Sequence, residues 1–336
     1  MRLFSRHRAP RHRLPRHRVS RREILRAARF ALRSARPVTV AERLERTQAL
    51  DPAVGALSDL VVRSLPPGRR ADALHGVPLG QPAHPALVRL PIGCWASAVL
   101  LDWFGGPGAE RASATLVAAG VLAAGPSAAT GLADWSALHR HQQRVGLVHA
   151  VAQASATTLF AGSLLARVAG RPGAGRLLSA GGLLATTAGG YLGGHLALRL
   201  GAGASHAEPI GHLAALGWQD LCPLAGLPDG RPVRRQLGYL SVLAVRDDTG
   251  RGGTGVYALT DRCAHLGGPL HQGRVANLGG TATVTCPWHG STFRLSDGAV
   301  LHGPSTARQP AFETRISDSG QVQVRPAQGE VNAAAG

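Results

Sequence analysis

The sequence has no lysine, few aromatic residues and little charge. All 37 of its basic residues are arginine, aromatic residues make up 4% of its 336 positions, and charged residues make up 17%, below the roughly 25% of typical soluble domains. Hydrophobic residues nevertheless reach 44%, and 44 residues are glycine. Because small apolar side chains replace aromatic and charged ones, the composition favours membrane helices over one large soluble core. The length allows about two domains.

Cysteine is also scarce, since four cysteines are too few for a disulfide scaffold in a chain of this length. Two of them, Cys263 and Cys286, have a histidine close by in the sequence, so we expect them to ligate a metal rather than to form a disulfide. Cys94 and Cys222 lie outside this pattern and are expected to pack as small apolar residues.

Two thirds of the net charge of +18 lies in residues 1–46, which hold 15 Arg and 3 Glu. A nucleic-acid-binding protein would need that charge on a folded surface with base-reading groups, so we expect no nucleic-acid partner. We interpret these residues as an Arg-rich disordered tail held against anionic lipid, or as an extension from a start placed too far upstream. Ser20 to Arg26 resembles a twin-arginine export signal, but arginines follow where such a signal needs an apolar stretch.

Four apolar segments follow an amphipathic helical lead-in, residues 47–85. Each segment is close to the ~20 residues that cross a bilayer, and Gly/Pro-rich or charged links separate them. They cover about residues 86–104, 112–133, 145–166 and 177–198. A buried soluble bundle is the alternative interpretation, but four consecutive segments with short links favour a four-span membrane domain over residues 86–200.

Four spans would place both ends of this domain on one side of the membrane. Arginines near the helix ends favour that side only modestly, and the Arg-rich tail adds to them. By the positive-inside rule, we expect both ends in the cytoplasm and a multi-pass protein of the bacterial inner membrane.

The pattern becomes that of strands after a linker over residues 201–216. Short runs such as Val256 to Leu259 and Gln321 to Val324 are rich in apolar residues, and turns such as Asp297-Gly298 separate them. The pattern predicts an all-β domain over residues 217–326, followed by a short tail, 327–336.

Two mixed pairs of ligand residues carry the strongest chemical signal, namely Cys263-Ala264-His265 and Cys286-Pro287-Trp288-His289. Two thiolates on one iron and two imidazoles on the other would hold a two-iron cluster. The same set would suit a zinc site. Zinc fingers usually pair Cys with Cys and His with His along the chain, so the mixed halves favour the cluster.

The residues around these pairs strengthen that interpretation, because Gly267-Gly268-Pro269-Leu270 follows the first pair and Gly290-Ser291-Thr292-Phe293 the second. The region from about Gly217 to Arg325 resembles a Rieske [2Fe–2S] domain, with Gly303-Pro304 similar to its third loop. The resemblance implies an antiparallel β-sandwich with a small cluster-binding subdomain. It also implies that Cys263 and Cys286 bind the inner iron and that His265 and His289 bind the outer one.

Positions next to the ligands suggest how such a cluster would be tuned. The resemblance implies supporting roles for Ser291, Gly267, Trp288 and Pro304. Gly268 and Trp288 lie where respiratory Rieske proteins carry a disulfide, so we expect none here. Ser291 matches a hydroxyl that bonds to sulfur in those proteins, whereas Phe293 replaces a tyrosine. Hydrogen bonds to sulfur stabilise the reduced cluster. The absence of one such bond therefore predicts that this cluster has a reduction potential that is low for the family.

Three histidines, His84, His149 and His195, lie within or beside the apolar segments. Alternating helix directions would bring all three to the side of the β domain, and ionisable groups in membrane segments are functional by default. Two of them at one depth would suit a b-type haem or another metal. The alternative is that they are interfacial side chains bonded to backbone or to lipid headgroups.

Residues 48–200 resemble an uncharacterised bacterial four-helix membrane family that is often fused ahead of a Rieske domain. The resemblance rests on Leu79 to Pro85, Leu132 to Trp135 and Gly189 to His195. That family has a histidine where this chain has Gln81, which weakens a ligand role for that end of the first span. The resemblance implies no activity.

These features predict a multidomain protein in which an all-α four-helix transmembrane bundle precedes an all-β Rieske-type antiparallel sandwich. We expect an electron carrier or oxidoreductase subunit rather than a stand-alone enzyme, passing single electrons between a membrane or cytoplasmic reductase and an unknown acceptor. The alternatives are a redox-sensing or structural membrane protein with a reporter cluster, and the ferredoxin component of an oxygenase system. An oxygenase itself would need a second, mononuclear iron site, and no segment remains to build it.

Overall fold

The structure is a computed structural model that describes residues 37–207, 217–247 and 255–327. Its first helix, α1, is Pro37–Arg46 and therefore covers the last ten residues of the expected tail. Proline suits the first helical position, and Val38, Ala41 and Leu44 recur at helical spacing. The rest of the expected tail, residues 1–36, lies outside the described residues.

Two short helices form the lead-in, namely α2, Asp51–Ser64, and α3, Arg69–His75. Pro66, Pro67 and Gly68 separate them, because proline lacks the amide proton that a helix interior needs. The guanidinium of Arg144, at the start of a long helix, donates to both carboxylate oxygens of Asp51 at 2.7 and 2.8 Å. The lead-in is thereby fixed to the helical domain.

Four long antiparallel helical segments follow the lead-in. The first is α4, which continues after Val88 as α5, and the last ends in a single π-helical turn, His195–Arg199. The helices are α4, Ala83–Leu87; α5, Arg89–Phe104; α6, Ala109–Ser136; α7, Arg140–Val168; and α8, Pro172–Gly194.

Three of these segments, 83–104, 109–136 and 140–168, are long and apolar enough to cross a membrane. Helix α8 is not among them, although it is 23 residues long. Glycine has a low hydropathy, so the many glycines of α8 lower the mean hydropathy of the helix. On length and composition, the expectation of four spans is therefore matched by three helices.

Small residues allow the helices to approach one another closely. The rings of Trp95 on α5 and Phe160 on α7 stack with centroids 4.4 Å apart. A Cβ atom at Gly182 on α8 would lie 2.7 Å from the Phe160 ring, and one at Gly120 on α6 would clash with Trp95. Glycine at these positions lets the backbones pack against large rings, which matters where lipid provides no hydrophobic drive between helices.

The C-terminal domain consists of two antiparallel sheets. The larger has the strand order β1-β10-β9-β4-β3-β2 and the smaller has the order β5-β6-β7-β8. The strands are β1, Gln219–Pro223; β2, Pro232–Leu237; β3, Leu240–Arg246; β4, Val256–Thr260; β5, Arg274–Leu278; β6, Thr281–Thr285; β7, Thr292–Arg294; β8, Val300–His302; β9, Ala311–Ile316; and β10, Gln321–Pro326. The expectation of an all-β antiparallel sandwich is confirmed.

One hydrophobic core joins the two sheets and supports the predicted site. Leu243 and Leu259 of the larger sheet pack in the same cluster as Val284 and Phe293 of the smaller one. Cys263 and Cys286 belong to this cluster as well. The core therefore anchors the start of both ligand loops, and the two cysteines lie at its edge.

Candidate metal centre

Two short loops carry the predicted ligands, and each loop is closed by its own backbone hydrogen bonds. In the loop after β4, the amide of Cys263 donates to the carbonyl of Gly268 at 2.9 Å. In the loop between β6 and β7, the amide of Cys286 donates to the carbonyl of Ser291 at 2.8 Å. Gly267 and Gly290 have φ of 77° and 79°, a left-handed backbone that favours glycine. The two loops thus present their ligands in the same local geometry.

The two cysteine side chains meet. Both are buried, and the thiol of Cys263 donates a hydrogen bond to the sulfur of Cys286. This bond, together with burial, raises the pKa of Cys263 above its ordinary value, whereas the same bond lowers the pKa of Cys286. One sulfur is therefore readily converted to the thiolate that metal binding requires.

The two histidine side chains also meet. The rings of His265 and His289 have centroids 5.0 Å apart and planes at 88°. Burial, followed by the neighbouring imidazole of His289, lowers the pKa of His265 to about 3. Burial, followed by His139, lowers the pKa of His289 to about 4. Both rings are neutral at physiological pH, which is the form that ligates a metal.

The arrangement fits a cluster of two irons. Sulfur is paired with sulfur and imidazole with imidazole, as a centre with different ligands on each iron requires. The Nδ1 atom of His265 is buried and has no hydrogen-bond partner within the described residues. A Cβ atom at Gly268 would lie 2.9 Å from the sulfur of Cys286, so glycine keeps this space clear. The residues present therefore fit a [2Fe–2S] group.

The supporting residues predicted from the sequence lie around the two loops. The hydroxyl oxygen of Ser291 accepts a hydrogen bond from the amide of Ser305 at 2.9 Å, which leaves the hydroxyl hydrogen of Ser291 free to donate. Phe293 is fully buried in the core, and the indole of Trp288, 49% exposed, lies beside Gly268. Pro304 lines a small cavity of about 40 Å³ together with His265.

Sequence reasoning missed Gln309, a fully buried side chain that supports the first ligand loop. Its Oε1 accepts the amide of Ala264 at 2.9 Å, and its Nε2 donates to the carbonyls of Thr260 and Arg262 at 2.8 and 2.7 Å. A single glutamine 45 residues downstream carries no motif, so only the fold reveals this contact.

The helical region contacts the domain next to the ligands through two segments that the sequence did not single out. The carboxylate of Asp72 on α3 accepts from Nδ1 of His302 and from the amide of Gly303, both at 2.9 Å. After α8, the amide of His206 donates to the carbonyl of Ala264 at 2.7 Å. The cluster-ligand loops thus face the helices.

A third contact comes from His139, which lies between α6 and α7. Its ring centroid is 5.2 Å from that of Trp288 and 5.6 Å from that of His289, and its side chain is hydrogen-bonded to the backbone of Leu266. Burial lowers the pKa of His139, and the nearby His141 adds to the effect. The helical region therefore covers part of the face formed by the two ligand loops.

The structure brings together two of the three membrane-region histidines. The rings of His84 and His149 have centroids 6.4 Å apart. His195 is buried, and its Nε2 lies instead 2.8 Å from a carboxylate oxygen of Glu45. The structure therefore separates His195 from the candidate pair.

Comparison with known proteins agrees with these observations. The family model of the Rieske [2Fe–2S] domain matches residues 217–313, and that of a predicted membrane protein, DUF2231, matches residues 80–206. The chain is 30% identical over 105 residues to apoptosis-inducing factor 3 of Homo sapiens, a match that covers 31% of this chain and 16% of that protein.

A second curated relative is the Rieske domain-containing protein of Homo sapiens, 31% identical over 67 residues, with 20% of this chain and 43% of that protein covered. The chain thus spans less than half the length of these relatives. Among solved structures, the ferredoxin of carbazole 1,9a-dioxygenase from Nocardioides aromaticivorans IC177 is 23% identical. That match covers 33% of this chain and 100% of that one, with a TM-score of 0.29.

Replacing Asp72 by alanine should loosen the contact between the helical region and the ligand loops. The variant loses two charge-assisted hydrogen bonds, so we expect the amide of Gly303 to exchange with solvent at least about tenfold faster, equivalent to about 1.4 kcal/mol. Hydrogen–deuterium exchange with mass spectrometry measures this change. Asp59→Ala, at an exposed position on α2, is the control, and equal exchange in both variants would contradict the assigned contact.

Proposed function

We propose that this chain, which contains a Rieske [2Fe–2S] domain over residues 217–313 and a DUF2231 domain over residues 80–206, is a membrane-anchored carrier of single electrons. The Rieske domain supports an electron-transfer role. The observation that carries the proposal is the pairing of sulfur with sulfur and of imidazole with imidazole at the tips of two loops.

The residues of this chain divide the work of such a site. Cys263 and Cys286 would hold one iron and His265 and His289 the other, and a bound [2Fe–2S] group supplies a centre that changes by one electron. Both cysteines are at most 4% exposed, so the core excludes water from the sulfur side. The imidazoles lie nearer the surface beside the exposed Trp288, which makes theirs the side that a redox partner approaches.

The packing of α7 against α8 supports membrane anchoring by four spans. Near one end of α7, Gln142 donates to the carbonyl of Leu200, and near the other, Ser163 donates to that of Gly175. These residues are 21 positions apart, about 31 Å along a helix, which is close to the roughly 30 Å of a bilayer core. If α7 spans the bilayer, α8 therefore crosses the same thickness.

The contacts with the Rieske domain support the same topology. They come from Asp72 before the first span, from His139 between the second and third, and from His206 after the fourth. An up-down-up-down bundle brings those three segments to one end. By the arginine-based argument, we propose that this end faces the cytoplasm of a bacterium, where a membrane or cytoplasmic reductase would supply the electrons.

Removing either cysteine should abolish the metal centre. We expect purified full-length protein in detergent to contain two acid-labile sulfides and one EPR-detected two-iron cluster per chain, and both to fall below about a tenth of that content in Cys263→Ser and Cys286→Ser. Metal and sulfide analysis with EPR spectroscopy gives the readout. The buried Cys222→Ser, outside the two loops, is the control, and folded protein that holds only zinc would refute the proposal.

A carrier must both receive and release electrons. In membranes that contain the protein, we expect NADH to reduce the EPR-detected cluster to a steady-state level that falls again when the NADH is consumed. Membranes with the Cys263→Ser variant provide the background. A cluster that is reduced but is not reoxidised by any membrane acceptor would instead support a redox sensor.

The potential of the cluster should be low for a Rieske centre. Phe293 lacks the hydroxyl of a tyrosine, so we expect a midpoint in the lower half of the range from about −150 to +300 mV. Ser291→Ala should lower it further, because the free hydroxyl hydrogen of Ser291 is lost. Protein-film voltammetry measures both values, with the exposed Ser319→Ala as control, and a wild-type value near the top of the range would overturn the assignment.

A further inference from the structure

His84 and His149 form a pair of imidazoles inside the helical domain. His84 lies on α4 and His149 on α7, and their rings are perpendicular, at 88°, with centroids 6.4 Å apart. They come from segments 65 residues apart, so the bundle itself brings them together. Neither belongs to the iron–sulfur site described above.

Both rings are held in one orientation by the backbone. Nδ1 of His84 lies 2.8 Å from the carbonyl oxygen of Ser127 on α6, and Nδ1 of His149 lies 2.7 Å from that of Gly189 on α8. A carbonyl oxygen only accepts, so each Nδ1 carries a hydrogen and donates it. In the neutral ring the lone pair is then on Nε2. Metal-ligating histidines are oriented in this way.

The helices are shaped around the two rings. A Cβ atom at Gly131 on α6 would lie 2.9 Å from the ring of His84, and one at Gly193 on α8 would lie 3.1 Å from the ring of His149. Glycine at these two positions leaves the imidazoles in place. All four helical segments of the bundle thus contribute a ring, a carbonyl or a glycine to the pair.

The separation of the rings matches two ligands on opposite sides of one metal. A metal–imidazole bond is about 2.0–2.1 Å, and the ring centre lies roughly 1.1 Å behind the ligating nitrogen, so two such rings have centroids about 6 Å apart. Two axial imidazoles also complete the ligand set of porphyrin iron, because the macrocycle supplies the other four nitrogens.

We propose that His84 and His149 are the two protein ligands of a transition-metal centre within the helical domain, the iron of a b-type haem being the form we favour. A bare metal ion could be bound by the same two imidazoles, and the test below distinguishes it from haem iron. Binding at this pair does not depend on the iron–sulfur cluster.

The position of the pair deepens the proposed function, on which this role rests. Pro82, two residues before His84, and Asp134, one turn after Gly131, line the small cavity whose other wall includes His265. A metal centre at the pair would therefore lie at the end of the helical domain that faces the iron–sulfur ligands. The helical domain would then be a redox partner of the Rieske domain as well as its anchor.

The test uses full-length protein purified in mild detergent from cells supplied with haem precursor. We expect about one haem per chain by the pyridine haemochrome assay in the wild type and in the control His141→Ala. His141 is exposed and lies on α7, the helix that carries His149. His84→Ala and His149→Ala should lose at least nine tenths of it. Adding imidazole to His149→Gly should restore the haem absorbance. The EPR signal of the iron–sulfur cluster shows that the Rieske domain of each variant has folded, and the restoration by imidazole shows that the helical domain has.

Metal analysis in the Cys263→Ser background distinguishes haem iron from a bare metal ion. Because this variant lacks a predicted ligand of the iron–sulfur cluster, the analysis also separates this inference from the proposed function. One equivalent of a transition metal without haem, lost in both His84→Ala and His149→Ala, would support the site with a bare ion. No haem and no metal in this background, or equal amounts in the wild type and the two histidine variants, would overturn the inference. Loss of the iron–sulfur signal alone bears only on the proposed function.

Discussion

The candidate site depends on the meeting of two similar loops, which sorts the four predicted ligands by atom type. Each loop begins with a cysteine at the edge of the shared hydrophobic core and continues to a histidine nearer the surface. Burial favours metal binding in two ways: it keeps the two imidazoles neutral, and it excludes water from the two sulfurs. Backbone hydrogen bonds within each loop, and the side-chain amide of Gln309 in the first loop, maintain this order.

The contact between the two domains follows from the same arrangement. Because the histidine ends of the loops face outward, the helical region meets the Rieske domain there, through Asp72, His139 and His206. Besides these hydrogen bonds and ring contacts, Ala207 packs in the hydrophobic core cluster of the Rieske domain.

Much of the site was readable from the sequence because its information is local. The four predicted ligands lie within two short motifs, the glycines that turn the loops are adjacent to them, and the hairpin between β5 and β6 is marked by Gly279 and Gly280. Gln309 and Asp72 were not readable, because they act across 45 and 231 residues and only tertiary packing brings them to the loops. Helix α1 was obscured by its arginine content, whereas α8 was expected from the sequence but is not among the three segments apolar enough to cross a membrane.

The position of His139 over Trp288 has a practical consequence for any study of the C-terminal domain by itself. A fragment limited to residues 217–326 would retain both sheets and all four predicted ligands, but it would lose the His139 ring that lies against Trp288 and the His206 amide that donates to Ala264. Solvent would then reach a larger part of the Trp288 ring and a carbonyl that is hydrogen-bonded in the intact chain. Reactivity and solubility measured on such a fragment would describe a surface that the whole molecule covers in part.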